Sequence, residues 1–307
     1  MKIKMLKIAS MCFLPLLMLT GCGNQQSTSM VNDLSFSLDE IKKITISYDD
    51  ENISFFEGVN ENLIIKEYMS KDKESYHANV TQENNEIKVS EGGKPFSKKN
   101  FNRYIKVYLP ASYSEDLKIT TTNGNIDLSD VSLDISSIRI DSTSGEIKIN
   151  EMTATDIHLS STHGKMELGN IIGDNIKIET TNGNVSCKSI EGNVAYTSTS
   201  GKAEFLSAKG SGTYKANNSG KLKVNYEEVT GDLSLYNKND NIDLTIPSTL
   251  DFDFKATTKN GSVDTNFQGS ISVKGRTTSG TIGDNPTVAI KVETKNGNIK
   301  VTRWKKP

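Results

Sequence analysis

The sequence predicts an all-β fold: a β-solenoid, parallel β-helix-like or roll-like, of about ten nineteen-residue coils with an N-terminal β cap. Three observations predict it. Gly124, Gly145, Gly164, Gly183, Gly201, Gly220, Gly261, Gly280 and Gly297 each follow Asn, Ser or His, and a degenerate copy at Asn239-Asp240-Asn241 fills the one gap. These turn signals recur every 17 to 21 residues. Apolar residues alternate with polar ones on both sides of each turn, so one face of every strand is buried and the other is wet. Finally, nothing in the repeated region calls for a helix. An antiparallel β-sandwich is the alternative, because Asn-Gly also closes two-residue hairpins. A meander, however, does not need every turn at one fixed step. Stacked coils do, since matching residues must lie one above another at about 4.8 Å. Ten such coils would make a rod roughly 45–50 Å long.

Residues 1–21 read as an export signal. Lys2, Lys4 and Lys7 precede the stretch Ile8 to Leu19, which is apolar apart from Ser10 and too short to span a bilayer comfortably. It ends in Leu19-Thr20-Gly21-Cys22, which resembles the bacterial lipoprotein signal. That resemblance implies cleavage before Cys22 and lipidation of Cys22, so the partner at this end is the membrane, through an N-terminal lipid. Residues 22–38 then read as the lipidated Cys and a flexible spacer, with Gln, Ser, Thr and Asn prominent from Gly23 to Asn32.

Residues 39–110 read as a β-rich capping region. Ile41 to Tyr48, Ile53 to Phe56, Leu63 to Tyr68, Glu86 to Val89 and Tyr104 to Leu109 are short strand patterns, and residues 91–102 form a surface loop. Pro110 removes a ladder donor where the last strand should stop. Such a cap would shield the open edge of the first coil.

Residues 111–307 are the repeats. Strands precede the turns at Leu117 and Ile119, Ile138 and Ile140, Ile157 and Leu159, Ile176 and Ile178, Leu233 and Leu235, Ile290 and Val292. They follow the turns at Ile126 and Leu128, Ile147 and Ile149, Met166 and Leu168, Leu222 and Val224, Ile242 and Leu244, Ile299 and Val301. The charged tail Arg303, Trp304, Lys305, Lys306 and Pro307 is placed to blunt the C-terminal edge.

Three cysteines occur. Cys12 lies in the signal, Cys22 would carry lipid, and Cys187 stands in register with Leu128, Ile149, Leu168, Phe205 and Val224, where a core cysteine is expected. The mature body therefore expects no internal disulfide.

Catalytic and cofactor chemistry is thin. His77, His158 and His163 read as solvated surface residues, although His158 and His163 flank one turn. Serines before turn glycines (Ser144, Ser200, Ser219, Ser279) sit in no nucleophile elbow, and no phosphate-loop or dinucleotide pattern occurs. Asp174, Asp232 and Asp284 follow glycines but lack the nonapeptide spacing of a calcium roll. No cofactor or metal is expected. A carbohydrate-active β-helix enzyme is the serious alternative, needing two acids on one groove. Asp127, Glu146, Glu167 and Glu204 are interspersed with Lys148, Lys165, Lys202 and Lys223, as in a solvated ladder. Tyr226, Tyr236 and Trp304 are candidate sugar-stacking aromatics. With 36 Lys and Arg against 38 Asp and Glu, a nucleic-acid partner is not expected.

The strand ending Val107-Tyr108-Leu109-Pro110, the run from Leu117 through Thr122-Asn123-Gly124-Asn125-Ile126 to Leu128, and the units Thr181-Asn182-Gly183-Asn184-Val185 and Thr199-Ser200-Gly201-Lys202 carry a further resemblance. They resemble a bacterial domain-of-unknown-function family of putative adhesins, related to auto-transporter adhesin head domains. The similarity covers about residues 40 to 303. It implies a β-solenoid-like architecture and association with the cell envelope, and it brings no catalytic residues. The expected function is a non-enzymatic cell-surface lipoprotein that binds or scaffolds, with an unknown envelope protein or glycan as partner.

Overall fold

In the computed structural model, residues 27–97, 101–267 and 270–304 are described. Cys22 and the signal segment lie outside them. Strands dominate, and a short 3₁₀ turn at Glu74–Tyr76 is the one helical element among the described residues.

Before the repeats come β1 (Ser29–Ser37), β2 (Lys43–Ser47), β3 (Asn52–Glu57), β4 (Asn62–Met69), β5 (Asn79–Glu83), β6 (Glu86–Ser90) and β7 (Arg103–Leu109). The repeats begin with β8 (Asp116–Thr121) and continue through six long strands. These are β9 (Ile126–Ser142), β10 (Ile147–Ser161), β11 (Met166–Thr180), β12 (Val185–Ser198), β13 (Ala203–Ala216) and β14 (Leu222–Asn237). The chain ends with β15 (Ile242–Pro247), β16 (Phe252–Thr258), β17 (Val263–Thr265), β18 (Ser270–Lys274), β19 (Thr277–Ile282), β20 (Val288–Thr294) and β21 (Ile299–Trp304).

Each long strand is a whole coil. It leaves a glycine turn, runs along a first wall, bends, and returns along a second wall to the next turn. Consecutive coils pair in parallel, with Ile126, Ile147, Met166, Val185, Ala203 and Leu222 directly in register. On the second wall Ile140, Leu159, Ile178, Tyr196 and Tyr214 form the matching column. Both columns point inward and are buried, so one continuous core runs between the walls. The solenoid expectation holds. Gly212 lies in this core, and its missing side chain leaves room for the Tyr214 ring and the Tyr226 hydroxyl, whose oxygens are 2.9 Å apart.

The turns stack as tightly as the walls. A β-carbon on Gly145 would run into the carbonyl oxygen of Gly124 one coil below, so only glycine fits there. Beneath several of the turns a buried hydroxyl closes the loop three residues before the glycine. Gly164 N–H donates to Ser161 Oγ at 2.8 Å and Gly183 N–H to Thr180 Oγ1 at 2.8 Å.

Both ends depart from sequence order. Strands β2 and β3 form a full coil, with β2 parallel to both β6 and β8 and β3 parallel to both β7 and β9. Residues 39–110 are thus more than a cap: two further coils lie there, with β4 and β5 as antiparallel additions and β1, from the segment before, pairing antiparallel with β4. The turn Asp49-Asp50-Glu51 carries no glycine, which hid it from the repeat pattern, yet the Asp49 carbonyl accepts from the N–H groups of Thr122 and Asn123. The expected spacer over 22–38 is also shorter than expected, because β1 pairs along β4 from Ser29 to Ser37. Leu34 and Phe36 pack against the core and repay that pairing.

The C-terminal end shows the same intercalation. The last coil, β20 and β21, lies between β14/β15 and β16/β17. Gly297 stacks on Asp240, and Gly261 on Gly297. Gly280 is no turn glycine: it sits within β19, antiparallel to β16, and β18 pairs antiparallel outside it. Of the tail expected to blunt the edge, Arg303 and Trp304 belong to β21 inside the stack, and Lys305, Lys306 and Pro307 lie outside the described residues. Pro247 lies opposite Trp304, and Trp304 Nε1 donates to the Tyr226 carbonyl at 2.9 Å, well inside the stack. On the second wall the strand order β5-β6-β2-β8 to β14-β20-β16-β19-β18 makes the rod roughly 60 Å long.

Candidate functional site

Period-two strands turn half of their side chains outward, and parallel register lines these up in columns. The two walls use that geometry differently.

On the first wall the column reads Asp127, Lys148, Glu167, Ser186, Glu204, Lys223, Asp243, Lys300, Asp264 in spatial order. Signs alternate, with Ser186 as a neutral rung between Glu167 and Glu204. Lys223 Nζ lies 2.6 Å from Glu204 Oε1, Lys148 Nζ 3.4 Å from Glu146 Oε2, and Lys165 pairs with Glu167. The hydrogen bond from Lys165 holds the Glu167 carboxyl below its ordinary range. Each acid thus meets a lysine before it meets another acid.

The second wall breaks that rule. Lys118, Arg139, His158 and Lys177 occupy consecutive rungs of one column. Their compensation comes from the next column along the strands. Arg139 forks onto Asp141 at 2.7 and 2.9 Å, and its NH1 donates to His158 Nδ1 at 2.8 Å. His158 Nε2 then lies 2.8 Å from Glu179 Oε2, which Lys177 Nζ also approaches at 2.8 Å. An imidazole that accepts at Nδ1 and donates at Nε2 is the neutral tautomer. Burial would raise the Glu179 carboxyl, but hydrogen bonds from Lys177 and His158 carry it below its ordinary range. His158 is therefore the hinge of a network spanning three coils, not a lone wet residue.

The remaining sequence candidates do not join it. His163 is exposed at its turn, and His77 Nε2 contacts Asp72 at 2.7 Å in the N-terminal region. Asp232 accepts from the Ala289 N–H and Asp284 N–H donates to Asp251, and among the described residues no group of three or more His, Cys, Asp or Glu is placed to hold a metal ion. Tyr226 is corrected outright as a stacking candidate: it is buried against Tyr214. Cys187 is buried, and burial pushes its thiol up to about 12, so it stays protonated. Cys22, the predicted lipidation residue, lies outside the described residues.

Sequence reasoning missed a buried ionic cluster at the N-terminal end. Arg103, with no side-chain exposure, reaches Glu51 at 2.9 Å, pairs with Glu91, and donates to the Tyr76 carbonyl at 2.8 Å. Nearby, Glu67 is fully buried and accepts from Tyr48 Oη, Asn32 Nδ2 and Ala78 N–H. Burial, with the Glu67 carboxylate, keeps the Tyr48 phenol protonated. The cluster pins β1, β4 and β7 together. Its signal in the sequence, isolated charges at inward positions, needs the pairing of distant strands before it can be seen.

Solved structures similar to this chain include a putative adhesin from Bacteroides fragilis, 16% identical, covering 92% of this chain and 100% of its own, with a TM-score of 0.34. Another is a putative adhesin from Parabacteroides distasonis, 12% identical, covering 88% and 96%, with a TM-score of 0.38. A putative cell adhesion protein from Clostridium sporogenes is 11% identical over 91% and 100%, with a TM-score of 0.24. No curated protein matches the chain. The family model Toastrack DUF4097 matches residues 41–302, from the first coil of the solenoid to its last strand. The chain belongs to the Toastrack family, whose domain has no assigned function.

Proposed function

We propose that this protein is a lipid-anchored, non-catalytic adhesin of the cell surface that holds an anionic envelope glycan along its second wall. The observation that carries the reading is the run Lys118, Arg139, His158, Lys177 in consecutive rungs. Lys118 and Arg139 are cations on adjacent strands about 4.8 Å apart, which repel one another and weaken a sheet, and the neutral His158 between Arg139 and Lys177 supplies no counter-charge within the column. The first wall avoids that cost by alternating sign, so its breach on the second wall marks a surface kept for use. A chain of sugars bearing carboxylates or phosphates at short intervals would lie along this column and replace Asp141 and Glu179 as its counter-charges. Anchoring is supported by Leu19-Thr20-Gly21-Cys22. The absence of catalysis is supported by the first wall, where every acid of the column has a lysine on an adjacent rung, Glu167 and Glu204 included, although Ser186 alone separates those two.

The test compares Lys118→Gln/Lys177→Gln with Lys148→Gln/Lys223→Gln, a pair on the first wall. Binding of the full chain to purified anionic envelope glycan is measured at several salt concentrations. The second-wall pair should weaken binding about tenfold, equivalent to about 1.4 kcal/mol, and flatten its salt dependence. Equal behaviour of the two pairs would reject the second wall as the binding face. Hydrolysis of the glycan by the wild-type protein would reject the non-catalytic reading.

A further inference from the structure

We infer that Phe96, carried on the described segment 92–97, is a membrane-contact residue that enters the interfacial layer of the bilayer that holds the anchor. This rests on the lipid anchoring at Cys22 proposed above. Phe96 is fully exposed, although an aromatic ring of this size is ordinarily among the more buried side chains. Its position is informative. Ser27 and Thr28, where the described chain begins, line one cleft of about 680 Å³ together with Lys94, Phe101 and Arg103. Ser27, five residues from Cys22, and Lys94, two residues from Phe96, therefore lie at the same corner of the body.

Chain geometry limits how far that corner can stand from the lipid. Five residue steps separate Cys22 from Ser27, a reach of at most about 18 Å. Phe96 lies two residues beyond Lys94, at most about 7 Å of chain. Residues on both sides of Phe96 are held. Lys94 Nζ contacts Asp50 at 3.0 Å and pairs with Glu91, Gly93 N–H donates to the Ser75 carbonyl at 2.8 Å, and Phe101 packs edge-on against Tyr76. Pro95 further restricts the backbone immediately before the ring. A second apolar side chain shares the corner: Met30, half-exposed on β1, lies opposite Tyr68, which lies opposite Tyr104.

Aromatic rings partition to the interface between headgroups and acyl chains. One ring binds weakly by itself, but a short tether makes its contact intramolecular, at an effective concentration in the millimolar range. The bilayer is favoured over a protein partner because the anchor's exit fixes the distance to lipid and to nothing else. Contact at this corner would place the N-terminal end of the rod on the membrane and direct β18 away from it.

The experiment uses the full, acylated chain in vesicles of phosphatidylglycerol and phosphatidylcholine, with and without brominated acyl chains. Phe96→Trp is compared with Val273→Trp, an exposed position at the far end of the rod, and each is read against the emission of Trp304 alone. The added emission of Phe96→Trp should shift to the blue and lose most of its intensity to the bromines, while that of Val273→Trp should do neither. A blue shift without quenching would mean that protein covers the ring, and would overturn the inference. So would unshifted, unquenched emission from protein that remains anchored. Cys22→Ala separates the two readings: if that variant stays in the membrane fraction, the anchor assignment fails, whatever the fluorescence shows.

Discussion

A hydroxyl buried under a glycine turn serves two backbone groups at once. Thr121 Oγ1 accepts from Gly124 N–H at 3.0 Å and donates to the Asp49 carbonyl of the neighbouring coil at 3.1 Å. Ser198 occupies the equivalent place, but its Oγ has no partner, and Ala216 follows it in the column. Thr180→Val should therefore cost about 1–3 kcal/mol by stranding the Gly183 N–H, whereas Ser198→Ala should be close to neutral. Urea unfolding midpoints of the two variants would check this. Gly145→Ala should cost about 1–3 kcal/mol or more in the same assay, because the clash is with backbone that cannot step aside. At the N-terminal end Arg103→Met should cost about 1.5–3 kcal/mol, since Glu51 and Glu91 would lose the charged hydrogen bonds of the guanidinium and keep Lys94 as the cation beside them. The glycines were plain in the sequence, and so was the polar residue three places earlier. That this residue is buried was not, because a serine or threonine beside a turn reads as solvated until the next coil is laid over it.

At the level of strands, the outward columns tie stability to pH. Burial would raise the Glu86 carboxyl, but hydrogen bonds from Thr45 and Lys88 carry it below its ordinary range, while Lys165 lowers Glu167 and Lys177 with His158 lower Glu179. A carboxylate with a depressed folded pKa binds fewer protons folded than unfolded. Its contribution is complete above the ordinary glutamate value of about 4.3 and disappears as pH falls through the folded value. The thermal midpoint should accordingly drop between about pH 5 and pH 3, and drop less in Glu167→Gln/Glu179→Gln. Differential scanning calorimetry across that range would show it. The strands themselves were legible wherever pairing partners lie one period apart, as from β9 to β14. They were least legible at β1 and β5. Ser29–Ser37 has a spacer's composition at its start, and Asn79–Glu83 has little apolar content, so both are strands by virtue of the edge they cover.

Over the whole molecule, period alone predicts that coil order follows chain order, and that holds only in the middle. The pairing of β2 with β8 joins residues 73 apart, and that of β14 with β20 joins residues 57 apart. Nothing local announces such contacts. A solenoid stacked in chain order could lose its last coil at modest cost, since each repeat contacts only its neighbours. Here a stop after residue 284 would remove a rung from between β14/β15 and β16/β17. The truncated protein should be insoluble or broadly unprotected against hydrogen exchange from Leu222 onward, whereas a simple end-trim would leave Leu222 to Asn237 protected.

The same intercalation constrains biosynthesis. Residues 41–57 leave the ribosome before either of the segments that will flank them, and residues 288–304 arrive when both of theirs are already waiting. Vectorial, coil-by-coil assembly is thus denied to this protein at each extremity. Its opening segment must be kept unsatisfied until the later strands arrive, and its closing segment acts as a wedge driven into a prepared gap.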